Sequence, residues 1–314
     1  MKSITLKSAA AALACCAAAP LVQAQSGVTI YGRMNLTMER VKTGGVTKTE
    51  LVNNSSRIGF KGTEDLGGGL KAGFQIEHGL SPDTGEAAGT FWGRQSEVNL
   101  GGGFGTLRLG NFTSEAYFAI ADYVSMHNHD TGHSSDAFYA YVGRNNDKVA
   151  YASPMFGGAQ FHASVSATDA GGTDRNVDLA VNWDSGPLHL GAGYEKGDGD
   201  AKQFAVRALY EMGAFTVGGY VQRDTDGLGA GNGDRTTLRL AAKYAVGSGD
   251  FHVNWGRAGA YSNLANSSAN QYTFAYNHNL SKRTKVYGFY TKVADKGAVY
   301  GDSNSLAVGV RHNF

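Results

Sequence analysis

The sequence predicts an all-β chain, a transmembrane antiparallel up-and-down β-barrel of 16 strands. Three observations carry the prediction. Most of the chain beyond residue 27 reads as short segments in which apolar and polar residues alternate, the period of a strand. Glycine is abundant, at 45 residues, while proline is held to 4. Past the amino-terminal leader no run approaches the ~20 apolar residues of a membrane helix, so a chain with these faces meets a bilayer as a closed sheet.

Residues 1–24 stand apart from that pattern. Lys2 and Lys7 give a positive start, Ala9 to Ala19 an apolar run, and Val22-Gln23-Ala24 a small-residue cleavage site, which is the order of a cleaved secretory signal. The expected mature domain is 25–314. Cys15 and Cys16 fall inside the leader, in surroundings that fit an acylation box poorly, and no disulfide framework is expected. Loss of Lys2 and Lys7 takes the formal charge from +1 to about −1. That balance gives no sign of nucleic-acid binding.

The strands follow in order. From Val28 the residues Val28, Ile30, Gly32, Met34, Leu36 and Met38 share one face, and Thr29, Tyr31, Arg33, Asn35, Thr37 and Glu39 the other. The alternation returns at 56–63, 70–78, 96–100 and 106–110. After 111–144 it resumes at 148–153, 160–167, 177–183, 188–194, 204–210, 215–221, 236–244, 251–257, 272–278, 284–293 and 306–314. An even number suits a bacterial barrel whose ends pair, and Pro154 and Pro187 fall in turns, where a missing donor is harmless. The competing reading is a secreted β-sandwich. Short links that exchange with long Gly- and Asp-rich ones, together with an apolar face on nearly every strand, favour the barrel. So does the set of aromatics at strand ends: Trp92, Tyr151, Phe161, Trp183, Tyr194, Tyr210, Phe215, Tyr244, Phe251 and Tyr272.

With the apolar parity outward, the interior receives Arg33, Arg57, Lys61, Lys71, Arg108, Lys148, Arg207, Arg239, Lys243 and Arg311, against Glu39, Glu77, Glu97, Asp178 and Glu195. Most other acids fall in the long links. Any one of these charges serves simply to keep an interior wet; as a set they give a basic wall whose field favours anions. Arg94 shares the parity of Val98 and Leu100, which points it at lipid, where an arginine near the midplane costs about 2–4 kcal/mol. A break near Trp92-Gly93, or a place above the hydrocarbon, is therefore expected.

The interval 111–144 does not alternate. It holds His127, His129 and His133, the acids Glu115, Asp122, Asp130 and Asp136, seven aromatics, and Arg144 at its exit. A structureless loop of this length is usually functional or disordered, and its aromatics argue against disorder. The run H-N-H-D-T-G-H invites a metal reading, but a glycine-containing loop promises no fixed tetrahedral geometry, so no metal and no cofactor are expected. No G-x-S-x-G nucleophile motif occurs, and the glycine runs sit in hairpin turns with no helix after them, unlike phosphate loops. Catalysis is not expected; an outer-membrane barrel hydrolase using loop serines and histidines is the alternative.

Five segments taken together resemble the Gram-negative general porins of the β-proteobacterial type, the neisserial and Comamonas-group porins among them. They are SRIGFKGTEDLGGGLKAGF (56–74), GRQSEVNLGGGFGTLRLG (93–110), YASPMFGG (151–158), NHNLSKRTKVYG (277–288) and AVGVRHNF (307–314). The resemblance implies a homotrimer of sixteen-stranded barrels in the outer membrane of a Gram-negative bacterium, surrounded by its lipids and lipopolysaccharide. Passive diffusion of small ions and hydrophilic solutes with mild anion preference is the implied function. The third external loop, 111–144, would fold inward as the constriction. Arg57, Arg94 and Arg144 match the family's constriction arginines, and we read Glu115, Asp122, Asp130 and Asp136 as facing them. Arg33, Glu77 and Arg108 are further lumenal residues. Phe314 resembles the signal read by the outer-membrane assembly machinery through the last strand. Family members often carry an arginine where this chain has Asn111. The alternative within the resemblance is a substrate-specific porin, with Tyr117, Tyr123, Tyr139 and Tyr141 lining a track for small organic acids.

Overall fold

The computed structural model describes residues 27–126, 137–167, 175–295, 297 and 299–314. The leader, His127, His129, Asp130, His133 and Asp136 lie outside the described residues. Within them, hydrogen-bonded ladders form sixteen barrel strands: β1 (Gly27–Thr43), β2 (Val46–Asn53, resumed as Arg57–Gly67), β3 (Leu70–Ser81), β4 (Gln95–Gly102), β5 (Gly105–Asn111), β6 (Lys148–Ala152), β7 (Ala159–Ser166) and β8 (Val177–Ser185). They continue as β9 (Leu188–Lys196), β10 (Lys202–Met212), β11 (Phe215–Thr225), β12 (Asp234–Val246), β13 (Gly249–Ala258), β14 (Ala269–Asn279), β15 (Thr284–Asp295) and β16 (Ser303–Asn313). A three-residue strand, Glu86–Ala88, extends the upper end of β3.

Each strand pairs antiparallel with the next, and the ring closes where Arg33 to Thr43 of β1 pair with Asn313 to Ser303 of β16. The expected count and closure therefore hold. Connections alternate between two rims. Links 68–69, 103–104, 186–187, 213–214 and 247–248 are two residues long, whereas 82–94, 112–147, 226–233 and 259–268 leave from the other end, the arrangement of short periplasmic turns and longer external loops.

The two faces sort by parity. Ile30, Met34, Phe74, Val98, Leu109, Phe161, Phe204, Val221, Leu240, Phe274 and Val308 point outward and are exposed, while Asn35, Glu39, Asp178, Gln203, Gln222, Arg239 and Thr273 point inward and are buried. Outer aromatics pair near the short-turn rim: the rings of Phe215 and Tyr244 stack at 4.5 Å, and those of Phe251 and Tyr276 lie 4.7 Å apart. These are the amphipathic girdle positions of a membrane barrel.

One segment departs from the expected strands. Val46–Asn53 is a strand that the alternation does not reveal, because it projects with β1 beyond the wall and is wet on both faces from Val46 to Leu51. Below it the strand breaks at Ser55, whose φ is +55°. Buried polar groups fill the break: Asn35 N donates to Ser56 Oγ (2.9 Å), Asn54 Nδ2 to Thr37 Oγ1 (2.7 Å) and Tyr287 Oη to Asn35 Oδ1 (2.6 Å).

Closure depends on a glycine. Phe314 N and Gly32 N each donate to the other's carbonyl at 3.1 Å, and the Phe314 ring lies over Gly32, where an added Cβ would come within 2.4 Å of the ring and 2.5 Å of Arg57 O. Gly32→Val should lower barrel stability by about 1–3 kcal/mol, the cost of overpacking. Denaturant unfolding followed by far-ultraviolet circular dichroism measures it, and an unchanged midpoint would contradict this role.

Candidate functional site

The inner wall and the segment it holds are built from β5 onward. The chain leaves β5 at Asn111 and turns inward, its neck closed by Phe112 N donating to Asn145 O at 2.9 Å. Ser114 Oγ accepts from Tyr117 N (3.0 Å) and starts a helical turn, α1 (Glu115–Tyr117), which widens into Phe118–Asp122. Asp178, on the inner face of β8, accepts from Glu115 N at 2.7 Å and Ala116 N at 3.0 Å. Lys148 Nζ stands 3.3 Å from the same carboxylate, and Ser164 Oγ donates to it at 3.4 Å. One buried carboxylate thus satisfies two amides that a helix start leaves without intrahelical partners.

The far side of the segment packs on small residues. Ala119, Ile120, Ala121 and Val124 are buried against Ala180, Ala205, Tyr220 and Ala241. A Cβ on Gly193 would come within 2.8 Å of Ala116 Cβ, and one on Gly191 within 2.8 Å of Ala119 O. Leu179, Leu190, Phe204, Val206 and Val221 on the opposite face of the same strands are exposed. Residues 112–126 therefore lie on the inner face, along β7 to β10.

The returning segment crosses the upper inner rim. Gln203 Nε2 donates to Tyr139 Oη (2.9 Å), and Gln222 binds both backbone groups of Ala140, at 2.8 and 3.1 Å. Phe138 packs against Ala258, Ala269 and Val293. Arg235 Nη2 donates to Phe138 O at 3.2 Å and is paired with Asp224 at 3.1 Å, both side chains fully buried. At the exit Arg144 grips Asp198 in the β9–β10 link, with Nη2 2.9 Å from Oδ2. Those hydrogen bonds hold the Asp198 carboxyl below its usual range.

A basic seam lies half-way round the ring. Arg94 Nε is 2.6 Å and Arg57 Nε 3.8 Å from Glu77 Oε1, their side chains 36% and 20% exposed. Arg33 is directly opposite Arg57 in the β1–β2 register, Lys285 directly opposite Arg311 in β15–β16, and Arg311 opposite Asn35. Like charges opposed in a sheet repel, yet Arg33, Arg57, Lys285 and Arg311 lie on neighbouring strands, with Arg94 in the turn before β4. Asp250, held by Asn277 Nδ2 at 2.9 Å, adds a carboxylate near the short-turn end of β13.

The break expected near Trp92-Gly93 is present: Trp92 takes φ +56°, Gly93 N closes a turn on Thr90 O (2.9 Å), and β4 begins only at Gln95, so Arg94 reaches inward to Glu77 and not to lipid. Other expected placements are corrected by this geometry. Glu115 does not face Arg57 or Arg94. It binds Arg108, which also pairs with Glu97 at 2.6 Å, because Asp178 has drawn the loop root to the β7–β9 wall. Arg144 sits at the rim on Asp198 rather than beside Arg57. Asp122 is half-buried on the loop. Tyr139 is buried and lines no track. Some wall cations are covered by the loop, Arg207 lying 3.5 Å beneath the Tyr123 ring and Arg108 4.1 Å from that of Phe112. Among the described residues no group of three or more His, Cys, Asp or Glu is placed to hold a metal.

A family model described as Gram-negative porin matches residues 9–298. The chain belongs to that family. Outer membrane porin protein 32 of Delftia acidovorans is 30% identical over 354 residues, spanning 98% of this chain and 100% of that protein. The major outer membrane protein P.IB of Neisseria gonorrhoeae is 27% identical over 342 residues, spanning 93% and 96%. Of solved structures, the anion-selective porin from Comamonas acidovorans superposes with a TM-score of 0.77 at 27% identity, over 92% of this chain and 100% of that one. OmpF of Salmonella typhi, in complex with daunomycin, gives 0.72 at 15%, over 94% and 99%, a likeness of fold alone. This is an outer-membrane porin, and its family and barrel point to a water-filled channel rather than an enzyme.

The porin also uses residues that alternation alone does not pick out. Lys285 is hidden because β15 carries apolar residues on both faces, with Tyr287 and Phe289 turned inward. Gly191 and Gly193 were readable: inner-parity glycines in L-G-A-G-Y mark where something approaches the wall closely.

Replacing Asp178 tests the latch. Asp178→Ala leaves Lys148, whose side chain is 2% exposed, without its carboxylate, a loss of about 3–5 kcal/mol when one partner of a buried pair goes. Single-channel recordings should show a larger or noisier open current, and a trace like that of the unchanged porin would contradict the latch.

Proposed function

We propose that this porin is a passive diffusion channel with mild anion preference, its narrowest part lying between the inward loop 111–144 and the seam of Arg33, Arg57, Arg94, Lys285 and Arg311. Arg57 and Arg94 border that part on the wall side. The observation that carries the reading is the position of the seam. The loop root rests on β7–β10 and covers basic groups there, whereas Arg57 and Arg94 on the other side keep partly open guanidinium groups. Glu77 offsets part of their charge and also orients both side chains.

The remaining assignments follow the resemblance and the relatives. The protein works as a homotrimer among outer-membrane lipids and lipopolysaccharide, after export on the leader 1–24. The last strand, ending in Phe314, is recognised by the assembly machinery. The Comamonas acidovorans porin is anion-selective, and the seam is the feature of this chain that supports extending that property to it.

Selectivity is read from the reversal potential across a planar bilayer under a KCl gradient. A unit charge about 8 Å from an ion in water is worth ~0.5 kcal/mol, roughly a twofold bias. Because the charge favours chloride and disfavours potassium alike, each arginine moves the permeability ratio about fourfold, so Arg57→Gln combined with Arg94→Gln should lower the chloride-to-potassium ratio about sixteenfold at most in dilute salt, and less at 1 M, where the Debye length is ~3 Å. A cation-selective parent channel, or a ratio unmoved by the double substitution, would overturn the reading.

A further inference from the structure

The loop segment has a wet face as well as a dry one. Ala116, Ala119, Ile120 and Val124 turn to the wall, while Phe118 and Tyr141 remain 43% and 49% exposed on the interior side of the barrel. Tyr117 joins them, its ring centroid 5.6 Å from that of Phe118 and 5.0 Å from that of Tyr141. Tyr123, also exposed, continues the strip, with its hydroxyl donating to Asp184 Oδ1 at 3.2 Å. Elsewhere the inner parity carries mostly polar, charged or small residues, so water-facing rings here are not what a wet pore needs by default. Sieving small ions does not require them.

These rings border the same interior as the basic seam, from the opposite sector. A solute in the passage meets π faces on the loop side and the Arg57 and Arg94 guanidinium groups on the wall side. The ring faces attract another ring in offset or edge-on contact, and an arginine binds a carboxylate with two parallel N–H donors. The geometry points to a weak site for aromatic carboxylates, a ring bearing a carboxylate, held between Phe118, Tyr117 and Tyr141 on the loop and Arg57 and Arg94 on the wall. This rests on the reading of the channel as anion-preferring and adds selectivity for the ring. The site retards such a solute on passage and raises its local concentration; it makes and breaks no bond.

The test is block of chloride current through the full-length porin in a planar bilayer, titrated with benzoate, cyclohexanecarboxylate and acetate at one pH and ionic strength. Benzoate should half-block at a concentration about five- to tenfold below that of acetate, the factor one aromatic contact supplies, with cyclohexanecarboxylate between them. Phe118→Leu with Tyr141→Leu keeps apolar volume and removes the rings, and should bring benzoate to the level of cyclohexanecarboxylate. Arg57→Gln should weaken block by all three acids. Equal block by benzoate and acetate, or a benzoate advantage that survives the double leucine variant, would overturn the site. The KCl reversal potential separates the two readings. Anion preference with equal block removes the ring site alone, whereas ring-dependent block without anion preference removes the proposed selectivity and leaves the site standing.

Discussion

Inside a hydrocarbon layer every backbone donor and acceptor must find a partner within the protein, because an unpaired one costs several kcal/mol. That constraint closes β1 onto β16 and sets nearly everything else. A closed sheet has one outer and one inner face, and residues alternate between them. Apolar side chains are exposed on one parity, and charge is collected on the other. A sixteen-stranded ring is too wide for its inward side chains to fill, so it encloses an interior into which a segment can leave the wall.

The segment 112–126 is attached by few but concentrated contacts. Asp178 meets two backbone amides and Lys148 at one point, while glycine and alanine on β8 to β10 let the backbone of 115–124 approach the wall. Burying that carboxylate is tolerable because both of its oxygens accept hydrogen bonds and a cation is at hand. The attachment divides the interior into a loop sector, where cations are stacked under rings or paired, and a seam sector, where cations stand close together on neighbouring strands.

The fold was legible to a degree that the site was not. A period of two is local, and it located sixteen strands from Val28 to Phe314; it failed at Val46–Asn53 only because that strand projects into water on both faces. Partner choice is not local. Glu115 was expected opposite Arg57 and Arg94, but which acid meets which base is decided by the sector of wall on which the loop lands. That landing is set by Gly191, Gly193 and Asp178, some 60 or more residues further on. Arg94 shows the reverse case: resemblance placed it inward where parity pointed it outward, since a turn at Trp92 resets the count.

The central claim is that 115–124 lies against the inner wall with one face dry and one face in the channel. Both cysteines of the chain precede the barrel, so a single introduced cysteine reports its own surroundings. A small, negatively charged, thiol-reactive sulfonate added during single-channel recording should reduce the current through Phe118→Cys and leave Ile120→Cys unaffected, Phe118 being open and Ile120 fully buried. Equal reaction at both positions, or none at Phe118→Cys, would contradict the account.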